Sequence, residues 1–324
     1  MLKLFERIFP GEKHMSSSYP EQLIKKAVER TVDATDPRVR ILGHYGKQLR
    51  PAVLHAMDHV IGLVDALAAP IPMTPANHAT ALSLNVMFSS GDSLLDCLRW
   101  DVALRDFLSA EGVTEGSVFA LLMAKPSRRH IFGHDLIEGK MMSDVPLTVI
   151  SFDDHRLVGL ARDEVETRRI LKWRAFDYIL VTALNAVTEA QTLRTGLKSR
   201  KQLLKAKLDI LNRSSGKPLQ GPLGPEKQKI QERMAQVEAE LSDIGAEDTV
   251  LHQHLELIGR TLLASDQHLF CNPETLYIDP MQYLRDASHP KARAVPVQLL
   301  HDAQGAQWAI QLVSIPTDCI AELR

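Results

Sequence analysis

Apolar positions recur along this chain with two different spacings, and the changes between them divide it. From Pro20 to about Leu108 they fall at helical intervals. Leu23, Ile24, Ala27 and Val28 form one stripe, and Val53, Leu54, Met57, Val60, Ile61, Val64 and Leu67 form another. Asp36-Pro37 and Thr74-Pro75 add start signals, a capping oxygen followed by the residue that loses nothing by lacking an N–H in the first turn. Residues 1–115 therefore predict an N-terminal helical bundle.

Beyond Ser117 the runs shorten. Val118 to Met123, His130 to Ile137 and Val145 to Phe152 are bounded by Lys125-Pro126-Ser127 and Glu138-Gly139-Lys140. Short apolar or alternating runs between turn residues predict a small antiparallel β element over 116–158, with its tight turn at Glu138-Gly139. From about Ala161 the helical signal is the strongest in the chain. Phe176, Ala183, Ala190, Leu197, Leu204 and Leu211 recur at sevens, and a second series runs through Ile230, Val237, Ile244, Leu251 and Ile258. The Gly- and Pro-rich stretch from Ser214 to Pro225 cannot continue a helix. Residues 159–270 thus predict a long coiled-coil hairpin with its tip at 214–225. Folding about that tip sets Leu211 level with Ile230, Leu197 with Ile244 and Ala190 with Leu251. Strand patterning returns over 271–324, where Ala294 to His301 and Gln307 to Ile315 predict a C-terminal β-hairpin and Pro296 asks for an edge or a bulge. The fold class expected is mainly α with small antiparallel β elements, α+β.

Composition narrows the function. Lys and Arg number 38 against 40 Asp and Glu, a net charge of -2, so no whole-chain field favours nucleic acid. Three cysteines, odd and widely spaced, exclude a disulfide framework and suggest a reducing compartment. With no secretory leader pattern and no apolar run near the roughly 20 residues of a bilayer span, the expectation is a cytoplasmic protein. Leu2, Leu4, Phe5, Ile8 and Phe9 do form a short amphipathic pattern. It admits membrane-surface contact through residues 1–9, although so short a segment more naturally docks on protein.

Candidate chemistry is sparse. No Gly-x-Gly-x-x-Gly, Walker loop or Gly-x-Ser-x-Gly elbow occurs, and no cofactor is expected. His55 and His59 have the i, i+4 spacing at which two imidazoles share a metal, but lack a third ligand. The densest polar set is His130, His134 and Asp135, followed by Asp153, Asp154 and His155. On paired strands these would supply a general base or a metal site. The plainer account is a polar strand face, with Asp153 or Asp154 close to the start of the long helix. The reading that best fits the whole chain is an interaction protein presenting its helical hairpin to a protein partner or, as a homo-oligomer, to itself. The alternative is a metal- or His/Asp-dependent hydrolase or phosphate-processing enzyme using the cluster from His130 to His155.

Overall fold

The computed structural model describes residues 19–112, 115–137, 140–214, 224–244 and 247–321. The amphipathic segment 1–9, the Glu138-Gly139 turn and most of the tip proposed at 214–225 lie outside these described residues. The protein is α+β, with one helix far longer than the rest. Its elements run α1 (Glu21–Ala34), α2 (Tyr45–Asp65), β1 (Ile71–Pro72), α3 (Pro75–Thr80), α4 (Leu82–Met87), α5 (Gly91–Trp100) and α6 (Val102–Glu111). There follow β2 (Ser117–Ile137), β3 (Lys140–Ala161), α7 (Glu164–Ser214), α8 (Gly224–Ile244) and α9 (Glu247–Leu263). The chain closes with β4 (Leu269–Ile278), β5 (Tyr283–Leu284), β6 (Arg293–Asp302) and β7 (Gln307–Pro316). These elements divide into two units, one holding Met57–Phe176 and the residues from Asp266 on, the other Met15–Ala56 and Asp177–Ser265.

In the first unit the two β segments expected as separate pieces join in one sheet of seven strands, ordered β1-β7-β2-β3-β5-β4-β6. Because β7 also pairs with β6, six of these strands close into a ring, with β1 a parallel addition to β7. Alternation along the strands shows strand character but not the partner across the ring, which is why the sequence pattern leaves two pieces. The strands are also longer than expected, since β2 runs unbroken through Pro126. Past Ala124, β2 has left β7 and pairs only with β3, the one-sided stretch in which a strand tolerates proline. Pro296 follows the same rule, preceding the stretch where β6 meets β7.

The period-2 pattern sorts side chains to the two faces of the ring. Val118, Ala120, Leu122 and Ala124 of β2 turn inward with Val297 and Leu299 of β6, and they share a core with Leu84, Phe88, Leu94, Leu98 and Leu104. The last five belong to α4, the segment after it, α5 and α6. These helices, expected as part of an N-terminal bundle, instead bury against the sheet, because their stripes match its inner face. Each fully buried Leu or Phe there contributes about 1.5–3 kcal/mol. The outer face, with Leu121, Ile310 and Leu312, buries Val64 in the last turn of α2, Leu67 just beyond it and Leu171 of α7. Arg168 donates to the Val64 carbonyl at 2.7 Å and the Leu67 carbonyl at 3.1 Å, satisfying the C-terminal end of α2.

In the second unit α1 buries Leu23, Ile24, Ala27 and Val28, and α9 buries Leu255, Ile258 and Leu262. Arg30 forks onto Asp177 at the inner part of α7, both bonds 2.6 Å. Asp36, which caps the 3-10 turn Pro37–Leu42, is also the acceptor for the buried His254 Nδ1–H at 2.8 Å. Farther out, Leu197 and Leu204 of α7 cluster with Val237 of α8, flanked by Ile230, Met234 and Leu241. Lys201 pairs with Glu238 at 3.0 Å beside that seam.

Candidate functional site

Antiparallel pairing of β2 with β3 decides the fate of the polar cluster. His130 lies opposite Thr148 and Asp153 opposite Lys125. At about 3.3 Å per residue, the five-residue offset from Lys125 to His130 separates His130 from Asp153 by roughly 16 Å. Each residue has its own engagement. His130 Nδ1 is hydrogen-bonded to Thr148 Oγ1 and His134 Nδ1 to Ser143 Oγ, both at 3.1 Å and both on exposed strand. Asp135 pairs in the ladder with Met142. Asp154 sits in an irregular stretch at φ 55° and takes both ends of the Arg156 guanidinium, at 3.1 and 2.7 Å. His155 donates from Nε2 to the Met87 carbonyl at 2.7 Å and stacks on Phe88. Burial pushes its pKa down, against the opposing pull of the bond to Met87 and of the nearby Asp153 and Asp154.

Neither aspartate lies at the start of the long helix. Strand β3 runs on to Ala161, and it is Asp163 that accepts from the Glu166 N–H at 2.7 Å. His55 is exposed, while His59 donates from Nε2 to the Leu269 carbonyl at 2.6 Å. Among the described residues no three His, Cys, Asp or Glu side chains are grouped to hold a metal ion. Burial, with Asp101 nearby, pushes the Cys97 thiol up to about 12, and burial raises Cys271 as well.

A different surface carries concentrated chemistry. Between Ala190 and Leu208, α7 holds six cations, Arg194, Lys198, Arg200, Lys201, Lys205 and Lys207, and no Asp or Glu. Leu193 and Leu203 stand exposed in the same stretch at 63% and 58%, while Lys201 is already paired with Glu238 of α8. At 100° per residue those two leucines lie within about 80° of each other around the helix, on one flank of the stripe that buries Leu197 and Leu204. Sequence reading passes over this patch because acids elsewhere cancel it in the net charge. A window of about 19 residues, rather than the whole chain, reveals it.

Comparison with known proteins gives no match, whether to a family model, a curated protein or a solved structure. No helix among the described residues is long and apolar enough to cross a membrane.

Proposed function

We propose that the protein is a non-enzymatic interaction protein whose two helical arms, α7 and α8, fold back on each other as a coiled-coil hairpin and present the outer face of α7 to an acidic protein partner. The observation that carries this reading is the exposed pair Leu193 and Leu203 within a stretch that holds six cations and no acid. Around the helix Arg200 and Lys207 fall between the two leucines, so this flank of α7 suits a partner that supplies apolar contact and opposite charge together. Self-association through this face brings cations against cations, so a different protein fits better than a second copy. The buried cluster of Leu197, Leu204 and Val237 supports the arm pairing, since it keeps these two leucines on the outside.

Copurification from the source cell tests it, with wild type and a Leu193→Glu, Leu203→Glu double variant side by side. Both positions are exposed, so the fold should be retained. Wild type is expected to retain a discrete acidic protein that leaves as salt rises from about 0.1 to about 0.5 M, as screening weakens surface charge. The double variant is expected to retain at least tenfold less. Identical copurifying sets for the two proteins would contradict the reading.

A further inference from the structure

The six strands that close into a ring leave an opening, and the side chains around it have no part in the arm surface. Inward positions along β2 run Val118, Ala120, Leu122 and Ala124, and the last of these lies directly opposite Ala309 of β7. Beyond this pair of small side chains the same face of β2 continues with Pro126 and Arg128, which line an opening where a small barrel is ordinarily packed with side chains. A pocket of about 250 Å³ results. Ile150, Phe152, Leu276 and Leu299 wall it, and Arg128, Glu274 and Gln307 stand around it. At the packing density of protein interiors such a volume takes roughly a dozen non-hydrogen atoms.

The polar groups restrict what those atoms can be. Arg128 donates from Nη2 to Glu274 Oε1 at 2.7 Å, across 146 positions of sequence. Their side chains remain 51% and 37% exposed, so both are open to solvent. A guanidinium has five N–H donors and a carboxylate about four lone pairs, so one mutual bond leaves each with capacity for another partner. A lone anion would be drawn to Arg128 and repelled by Glu274, and a lone cation the reverse. A molecule carrying both charges on neighbouring atoms satisfies both, with its carboxylate toward Arg128 and its ammonium toward Glu274. The apolar walls take what remains, and Gln307 can donate or accept at the same height.

We infer that this opening is a binding site for a small zwitterion with an apolar side group, the chemistry of an aromatic or branched α-amino acid. The site is independent of the arms and of any partner they hold. Titration calorimetry on the full chain tests it with L-phenylalanine and L-leucine, beside L-glutamate, phenethylamine and 3-phenylpropionate. Saturable binding of phenylalanine or leucine is expected. Glutamate should give none, and the two analogues bearing one charge should bind at least tenfold more weakly, since each loses a charge-assisted hydrogen bond. Arg128→Gln and Glu274→Gln should each weaken binding of the amino acid about tenfold or more, and Gln307→Trp should obstruct the opening. All three positions are solvent-accessible, and circular dichroism checks that each variant stays folded. The inference is overturned if neither phenylalanine nor leucine binds, if the one-charge analogues bind as tightly, or if binding survives these substitutions unchanged in folded protein.

Discussion

Replacing Asp36 by alanine is expected to destabilise the second unit by about 2–4 kcal/mol, the cost of leaving the buried His254 N–H without its acceptor together with that of a lost cap. The Asp36 and His254 side chains are only 4% and 2% exposed, so the imidazole left behind cannot turn to water. The Arg38 guanidinium loses its two bonds to Asp36 as well, but at 52% exposed it rehydrates at little cost. The cap of the turn at Pro37 goes with the same carboxylate. Burial by itself would raise the Asp36 carboxyl, yet hydrogen bonds from the Arg38 side chain, His254 and the Arg38 N–H hold it down at about 2. Its folded pKa lies below the unfolded value of about 3.9, so the stabilisation is complete above about pH 4 and fades as pH falls toward 2. By linkage this group contributes about 2–3 kcal/mol at neutral pH. Urea denaturation at pH 7 and again near pH 3 checks both statements. Equal stability of wild type and variant at pH 7 would show that the pair carries no weight.

Gly159→Val is expected to cost on the order of 3 kcal/mol or more, through strain and overpacking together. The residue adopts φ 73°, where a β-branched side chain is seldom found. A Cβ there would stand 2.9 Å from Leu171 Cδ2 and 3.2 Å from its Cγ. Leu171 is itself buried against the outer face of the sheet and has little room to give. Thermal denaturation should show the loss. A transition at the wild-type temperature would mean that α7 does not pack against β3 as closely as the structure has it.

What the sequence discloses and what it conceals follow from the range of the interactions. Heptad spacing marks α7 and α8 as helices because each apolar position lies within two turns of the next. The turn residues from Asp302 to Gly305 mark the β6–β7 hairpin for the same local reason. Ring closure, in contrast, depends on β7 meeting both β2 and β6, and no local pattern carries that choice. Asp36 and His254 are 218 positions apart, and Arg128 and Glu274 146, so neither pair is visible before the chain folds. The cluster from His130 to His155 misleads in the opposite direction. Its members are close in sequence, and on adjacent strands they appear set to converge. Antiparallel pairing sends Asp153 to the level of Lys125 and leaves His130 with Thr148.

Site-specific photo-crosslinking from position 203 in the source cell bears most directly on the claim that the paired arms present an outer face to a protein. A photoreactive residue at Leu203 is expected to give one heavier adduct containing a different protein. The same residue at Ile41, which is 74% exposed on the 3-10 turn, should not give it. Val237→Asp places a carboxylate in the buried seam with Leu197 and Leu204 and should part the arms, abolishing the adduct. An adduct equally strong from Ile41, one unaffected by Val237→Asp, or one containing only a second copy of this chain would contradict the account.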